Sequence, residues 1–306
     1  MALIRPDPEK VYPKFLHYYF LSSSWRREVE GSIISGATVD RIPLTKVPDF
    51  AVDFPSLTEQ QIIADILSQY DSLIENNRRR IDLLEQAARE LFKEWFVRFR
   101  FPGHEHIGAQ DDIPVGWTQG AISDLGSVIT GKTPSKKDST NFGEEVPFIK
   151  TPDMHGNVIV ITTQESLSER GANSQPSKLI PARSILVSCI GTVGVTSMNA
   201  VPAHTNQQIN SLVPAKDSLR YFAFFALAAL KTRLEAMGGG ATMANVNKSK
   251  FEGLPVVVPP ESLLLSFSDY VLPMFDQIEK LAVTNIRLVK ARDLLLPKLM
   301  SGEIAV

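Results

Sequence analysis

Residues 240–260 read GATMANVNKSKFEGLPVVVPP, and a similar phrase, GATVDRIPLTKVPDFAVDFPS, occupies residues 36–56. When the two are aligned at an offset of 204 positions, the GAT triplets coincide and Lys46 falls on Lys250. A pattern repeated at a fixed offset within one chain predicts a repeated structural unit. We therefore expect two related units in this chain.

The similarity extends on both sides of the repeated phrase. An aromatic run at 15–20 aligns with 219–224, and, after a shift of one residue, 81–84 aligns with 286–289. The repeated unit therefore predicts an aromatic helix, a turn at GAT, a short β run that ends in proline, and a long helix. Residues 102–216 precede this unit in the second copy and have no counterpart in the first. The sequence thus predicts one and a half copies of a single module.

Two long helices are predicted, at 57–101 and within 261–306, from apolar residues spaced by alternate steps of four and three. This heptad spacing is typical of helices that pair along a seam, and we expect an antiparallel pair that spaces two globular lobes. Asp293 interrupts the second stripe, and Pro273 and Pro297 are expected to limit or kink that helix. Two ordinary core helices remain the alternative interpretation. The residues predicted on the seam are Ile63, Leu67, Tyr70, Ile74, Asn77, Ile81, Leu84, Leu91, Phe275, Ile278, Ile286, Val289 and Leu296.

Asn77 is the polar residue on the predicted seam of the first helix. A buried asparagine in such a seam fixes the alignment of the two helices at a cost in stability. At the edge of the seam, in contact with water, the same residue would have little effect. The sequence leaves both interpretations open.

These features together predict an α+β fold in which globular domains are joined by two long antiparallel, coiled-coil-like helices. We divide the chain into a partial first domain at 1–56, a helix at 57–101, a complete second domain at 102–260, and a second helix with a C-terminal tail at 261–306. The four segments are the expected domain organisation.

Within the complete domain, short apolar runs predict strands at 146–149 and 158–162. A further pair is predicted at 179–189 and 194–198, on either side of a glycine-containing turn. Residues 219–236, rich in Ala, Leu and Phe, predict a helix.

The composition is that of an ordinary soluble protein, with 43% hydrophobic and 22% charged residues and a formal net charge of −2. This charge argues against a highly basic nucleic-acid coat, although a local basic face remains compatible with it. No stretch has the length and apolar character of a membrane span or a signal peptide. The single cysteine, Cys189, lies in the apolar run SILVSCIG and predicts a core thiol in a reducing cytoplasm.

Residues 126–133, GSVITGKT, match the phosphate-binding pattern G-x-x-x-x-G-K-[ST]. That site requires a following helix whose N-terminus faces the phosphates. The next residues, 134–143, are polar and lack helical apolar spacing. We therefore favour an exposed loop over a nucleotide site.

A loop of this composition suits DNA, because lysines neutralise phosphates and hydroxyl or amide groups hydrogen-bond to phosphates or base edges. The residues predicted to contact DNA in this loop are Lys132, Thr133, Ser135, Lys136, Lys137 and Asn141.

Two further segments are candidate DNA contacts. Thr192 lies in the sequence Gly-Thr-Val-Gly, which is either a plain hairpin turn or a turn presented to a groove. Asn206, Gln207 and Gln208 carry amides able to make a bidentate contact with adenine. Hydrogen bonding inside the domain is the alternative role for these three amides.

Catalytic and metal-binding patterns are absent or weak. The histidines of His104-Glu105-His106 are two positions apart, unlike the i, i+4 pair of a helical zinc site. The chain has no G-x-S-x-G sequence and none of the Asn/Asp-Pro-Pro-aromatic motifs with which base-methylating enzymes hold a flipped base. We expect no catalytic residue and no bound metal.

Three segments resemble the specificity (S) subunits of type I restriction–modification systems. They are FPSLTEQQIIA at 54–64, TGKTPS at 130–135 and LLLPKLMSGEI at 294–304. Together with the internal repeat, the resemblance covers essentially the whole chain. It departs from the family at the front, because residues 1–56 match only the distal part of a first target-recognition domain.

The resemblance implies a non-catalytic reader of double-stranded DNA, with each recognition domain reading one half of a split target. It also implies that the helices set the gap and dock methylation (M) subunits and, through them, restriction (R) subunits. S-adenosylmethionine and ATP are then expected on those partners, with no cofactor on this chain. With one complete recognition domain, self-association of two copies is a further expectation. A nucleotide-binding enzyme and a helix-pair adaptor that does not bind DNA are the competing functions.

Overall fold

The structure, a computed structural model, describes residues 4–36, 40–110, 113–238 and 245–306. The chain divides into two compact units. The first unit comprises residues 1–79 and 283–306, and the second comprises residues 80–282. Both long helices contribute to each unit.

Ten α-helices occur in the described residues. They are α1 Pro13–Tyr19, α2 Ser23–Gly31, α3 Leu57–Phe92, α4 Ile122–Leu125, α5 Thr151–Met154, α6 Glu169–Asn173, α7 Arg220–Ala229, α8 Lys231–Gly238, α9 Lys248–Glu252 and α10 Glu261–Met300.

Thirteen strands, all in the second unit, occur in the same described ranges. They are β1 Ala109–Gln110, β2 Ile113–Pro114, β3 Thr118–Ala121, β4 Gly126–Thr130, β5 Phe142–Gly143, β6 Val146–Ile149, β7 Ile159–Val160, β8 Glu165–Leu167, β9 Ile185–Ser188, β10 Thr196–Asn199, β11 His204–Thr205, β12 Ile209–Pro214 and β13 Pro255–Val258. The predicted α+β class is confirmed.

The second unit is built on two main sheets. One has five strands in the order β4-β12-β9-β10-β7, and the other has four in the order β11-β6-β8-β5. Strand β13 pairs separately with β3, with Val256 opposite Gly120. The residues of β9 are fully buried because this strand lies at the centre of the five-stranded sheet.

Helix α7 joins these sheets to the long helices of the second unit through aromatic rings. Phe222 and Phe225 on α7 lie 5.9 and 5.7 Å, centroid to centroid, from Phe92 on α3. Phe267 on α10 is fully buried and lies 4.8 Å from Phe96. Residue 96 belongs to a π-helical turn, Lys93–Val97, that continues α3. The first long helix thus ends before residue 101, the predicted limit.

The first unit has a smaller core, formed where α1 packs on the start of α3 and the end of α10. Phe15 and Tyr19 of α1, Leu67 of α3, and Leu296 and Leu299 of α10 belong to one buried cluster. The helices α3 and α10 are antiparallel, because early residues of one contact late residues of the other.

Polar contacts between α3 and α10 in the first unit also show that these helices are antiparallel. The side-chain amide of Asn77 donates to Oδ1 of Asn285 at 2.9 Å, and the amide of Asn285 donates to the carbonyl of Ile74 at 3.3 Å. Asn77 is 8% exposed, which agrees with the buried interpretation and not with a solvated edge position.

The seam predicted for α10 differs from the observed one at two positions in the first unit. Ile286 was expected on it but is 40% exposed, so that prediction is wrong. Asn285 lies there instead because it bonds with Asn77, and Arg292 reaches Asp71 at 2.6 Å. The other predicted seam residues are buried or half-buried.

Neither proline predicted to limit the second helix ends it. Pro273 and Pro297 both lie inside α10, which runs from residue 261 to residue 300. The helix predicted at 219–236 is, by contrast, divided at Leu230 into α7 and α8. The strand predicted at 158–162 is shorter than expected and reduces to β7.

The two copies of the repeat differ in the segments that follow their GAT sequences. Most of each GAT sequence lies outside the described residues. The first copy has a 3₁₀ helix, Leu44–Asp49, where the second has α9, and it has no strand where the second has β13. The short β run predicted in the first copy is therefore wrong. The physical reason is that β13 pairs with β3, whereas residues 51–54 have no strand partner among the described residues.

Candidate nucleic-acid interface

The segment that resembles a phosphate loop is mostly a strand. Residues 126–130 form β4, which pairs antiparallel with β12, and no helix follows it before residue 139 among the described residues. A Cβ atom on Gly126 would lie 2.0 Å from the carbonyl oxygen of Val213, and one on Gly131 would lie 2.2 Å from that of Asn206. Both glycines are thus explained by close packing of backbones.

Beyond β4, the chain forms a loop that is held against the turn at residues 205–208. The backbone N–H of Lys132 donates to the carbonyl of Thr205 at 2.9 Å. The hydroxyl of Thr133 donates to Oε1 of Gln207 at 2.7 Å. Residues separated by more than seventy positions in sequence are thereby joined into one polar surface.

The buried side chain of Gln175 holds this loop in place through a hydrogen bond. It is 5% exposed, and its side-chain amide donates to the carbonyl of Lys132 at 2.8 Å. His204 is buried beside it, and burial lowers the pKa of its imidazole. Sequence reasoning missed Gln175, because a buried amide that holds a distant loop leaves no local pattern.

The turn at 206–208 is braced by its own amides. The side-chain amide of Asn206 donates to Oε1 of Gln208 at 2.9 Å, and its Oδ1 accepts from the backbone N–H of Gln208 at 3.1 Å. Asn206 is 7% exposed. The prediction that Asn206 reads bases is therefore wrong in this structure, since its amide is buried and engaged. Gln207 remains exposed, and within the described ranges its side-chain N–H₂ group has no hydrogen-bond partner.

The rest of the loop is ordered by Asp138 and Asn141. Asp138 accepts from the backbone N–H of Thr140 at 3.1 Å and contacts Arg170 at 3.1 Å. Hydrogen bonds from Thr140 lower the pKa of the Asp138 carboxyl. Asn141 is buried and donates to the carbonyl of Ser135 at 3.1 Å, so its predicted contact with DNA is also wrong in this structure.

Three lysines project from this ordered loop. Lys132, Lys136 and Lys137 are exposed, and none forms an ion pair within the described part of the chain. Ser135 is exposed beside them. Cations held on an ordered backbone and free of carboxylate partners are suited to contact phosphates.

Thr192 lies in the turn between β9 and β10. Gly191 and Gly194 have φ angles of +76° and +84°, a region that favours glycine. Thr192 is exposed, and a Cβ atom on Gly191 would lie 3.9 Å from Nε2 of Gln208. This turn therefore adjoins Gln208, and three of the predicted segments lie next to one another.

Cys189 and the metal-binding residue types of the described chain do not form a reactive or metal-binding site. Cys189 is buried, and burial raises the pKa of its thiol to about 11. Within the described residues, no cluster of three or more His, Cys, Asp or Glu side chains is arranged to hold a metal ion. In the same part of the chain, no helix combines the length and apolar character that crossing a membrane requires.

A protein-family model matches most of the chain. The family described as “Type I restriction modification DNA specificity domain” matches residues 1–86 and 114–262. The chain belongs to this family. The resemblance seen in three sequence segments is thereby confirmed, and the nucleotide-binding alternative finds no support.

Individual family members match the chain over nearly its whole length. The type I restriction enzyme HindI specificity subunit of Haemophilus influenzae is 33% identical over 366 residues, covering 99% of this chain and 80% of that protein. The MjaIX specificity subunit of Methanocaldococcus jannaschii is 28% identical and covers 97% of this chain and 70% of its own. The crystal structure of a type I restriction–modification S subunit from M. genitalium matches with a TM-score of 0.60 and 18% identity, over 96% of this chain and 74% of that one. This last comparison confirms the fold.

Proposed function

We propose that the chain is a specificity subunit that recognises double-stranded DNA and carries out no chemistry itself. Residues 102–260 are the complete recognition domain and read one half of a split target, whereas residues 1–56 are the distal part of a first such domain. The observation that carries this proposal is the hydrogen bond between Thr133 and Gln207, which joins the lysine loop to the exposed amide.

The surface around this bond combines two kinds of recognition. Lys132, Lys136 and Lys137 contact phosphates and supply affinity that does not depend on sequence. Gln207 presents an exposed amide, and a bidentate contact with adenine discriminates bases by about 1–3 kcal/mol. The chain thus positions itself through the backbone and reads bases through a few side chains.

The partners follow from family membership. Methylation subunits dock on the helix pair and bring S-adenosylmethionine, and restriction subunits bring ATP, so this chain needs no cofactor of its own. The complex acts on DNA in the cytoplasm. Association of two copies would place two identical recognition domains in one complex, related by symmetry.

The lysine loop is tested by DNA binding of the chain assembled with its methylation subunit. Lys136→Ala with Lys137→Ala should weaken binding to all DNA sequences and reduce the dependence of log K on log salt by about 0.9 for each phosphate that is no longer neutralised. Lys10→Ala with Lys46→Ala is the matched control, since both lysines are exposed and belong to residues 1–56, outside the complete recognition domain and the helix pair. Equal affinity and salt dependence in all three proteins would contradict the proposal and favour an adaptor that does not bind DNA.

A further inference from the structure

The first unit carries an open apolar cleft with a volume of about 660 Å³. Every side chain that lines it is apolar, and all of them belong to residues 4–54. Two lining residues are largely exposed, Leu44 at 65% and Val52 at 47%. A contiguous apolar surface of this kind on a soluble protein marks an interaction site.

The internal repeat shows what the cleft corresponds to in the second unit. Three half-buried residues of the cleft align, at an offset of 204, with apolar residues that are buried in the second unit. The pairs are Phe20 with Phe224, Val47 with Phe251, and Phe50 with Leu254.

In the second unit, β3 and α4 lie against the part of this surface that contains Phe251 and Leu254. Strand β3 pairs antiparallel with β13. The backbone N–H of Ile122, at the start of α4, donates to the carbonyl of Leu254 at 3.0 Å. Ile122 and Leu125 are both 0% exposed, so α4 buries its two apolar side chains on this surface. One strand and one helical turn therefore complete the second copy.

The backbone of the first unit lacks the corresponding bonds. Residues 51–54, equivalent to β13, make no backbone–backbone hydrogen bond within the described chain. Arg41 pairs locally with Ile34, whereas its equivalent, Asn245, bridges to Ile190 between β9 and β10. The apolar cleft is thus open in the first unit, and residues 51–54 beside it lack a strand partner among the described residues, although the backbone N–H of Asp53 bonds to the Tyr19 side chain.

We infer that this cleft binds a strand-and-helix segment of a second polypeptide, of the same chemical type as residues 118–125. The strand of the partner adds antiparallel to residues 51–54, a mode of recognition in which main-chain bonds supply affinity. The following helical turn places two apolar side chains, three positions apart, in the cleft. In this chain, the segment of that type is already engaged by β13. This inference concerns assembly and holds whether or not the chain binds DNA.

A second copy packed cleft against cleft is the competing occupant. Such an arrangement would bury the apolar side chains but would leave the N–H and C=O groups of residues 51–54 without a strand partner. The strand-and-helix segment satisfies both requirements, as it does in the second unit.

The probe for this test is a synthetic peptide of residues 113–131 that carries Trp117→Phe. The intact chain is the receptor, because Trp25 lines the cleft while Trp95 and Trp117 are buried in the second unit. We expect a saturable blue shift of tryptophan emission and slower hydrogen exchange at the amides of residues 51–54. A peptide that also carries Ile122→Asp and Leu125→Asp should bind about tenfold more weakly or worse, because carboxylates are costly to bury.

Matched variants of the chain complete the test. Val52→Asp should weaken peptide binding about tenfold, since it places a charge in the cleft. Val201→Asp should leave binding unchanged, because Val201 is 46% exposed in the second unit and Val52 is similarly exposed in the cleft. Absence of saturable binding, or equal binding by both peptides, would overturn the inference. Dimers in sedimentation that Val52→Asp dissociates would overturn it in favour of a second copy.

Discussion

In the second unit the long helices meet through aromatic rings, whereas in the first unit much of their contact is made by polar side chains. Phe267 lies 5.9 Å from Trp95 and 4.8 Å from Phe96, and it is fully buried. In the first unit, Asn77 pairs with Asn285. The same two helices therefore make aromatic contacts in the second unit and polar contacts in the first.

The polar contacts of the first unit extend into α1. The phenol of Tyr18 donates to Asp71 at 2.5 Å, and Arg292 of α10 contacts the other oxygen of Asp71 at 2.6 Å. Apolar packing stabilises without fixing one alignment, while directional hydrogen bonds between helices fix it. We therefore assign most of the stability to the second unit and the register of the helices to the first.

The largest expected effect is that of Phe267→Ala, which removes a fully buried ring from the aromatic contact. Truncations of buried phenylalanine cost about 3–5 kcal/mol of unfolding free energy. Chemical denaturation monitored by circular dichroism measures this loss of unfolding free energy. Tyr270→Ala, one turn away and 59% exposed, is the control and should cost much less. A similar loss in both variants would show that burial of the Phe267 ring is not what stabilises the helix contact in the second unit.

The second prediction concerns the face of α3. Leu84 is half-buried against the core of the second unit, whereas Leu83 is 58% exposed. Leu84→Glu places a charge on the packed face and should lower the unfolding free energy by about 2 kcal/mol or more. It should also impair assembly with the methylation subunit. Leu83→Glu should leave both unchanged. If Leu84→Glu melts and assembles like the unmodified chain, the helices do not pair as described.

Several of these features were predictable from sequence because they depend on local pattern. The heptad spacing predicted the helix pair, and the short apolar run at residues 146–149 predicted β6 with its observed limits. The observed seam of α10 in the first unit was not predictable in this way. Asn285 and Arg292 lie on it because of hydrogen bonds to α3, and a pattern that counts apolar residues assigns such positions to solvent.

The candidate site was predictable only in part, for a related reason. Composition identified the lysine loop, but it could not show which amides are used inside the protein. Asn206 and Gln207 are adjacent and similar in chemistry, yet one braces a turn and the other is exposed. Likewise, the missing strand in the first unit depends on a partner segment far away in sequence, which propensity does not reveal.

A smaller effect is expected from pH in the first unit. Burial raises the pKa of Asp71, but hydrogen bonds from Tyr18 and Arg292 outweigh it, and the net pKa is lowered. A carboxyl with a lowered folded-state pKa contributes stability above its unfolded pKa, about 3.9, and loses that contribution as pH falls through the folded value. Below about pH 4 we therefore expect the first unit to loosen.

Asp71→Asn tests this pH dependence. The variant should be less stable at neutral pH, and the acid-dependent part of the loss should disappear from its melting temperatures. Asp65→Asn is the control, because its contact with Lys14 is long, at 3.9 Å, and exposed. An unchanged acid profile in Asp71→Asn would show that this carboxyl does not link the helices.

The last prediction concerns single positions of the DNA site. Gln207→Ala should relax discrimination at one base by about 1–3 kcal/mol. Removal of its exposed hydrogen bond from Thr133 should cost only about 0.5–1.5 kcal/mol of stability. In cells that contain this chain and its methylation subunit, two associated copies would direct methylation to an interrupted palindrome, and the substitution would relax one position in each half. Sequencing of methylated DNA measures this directly. A site that is asymmetric, or relaxed in one half alone, would contradict reading by two identical domains. It would mean that the first unit contributes base recognition, either by itself or after a partner segment has filled its cleft.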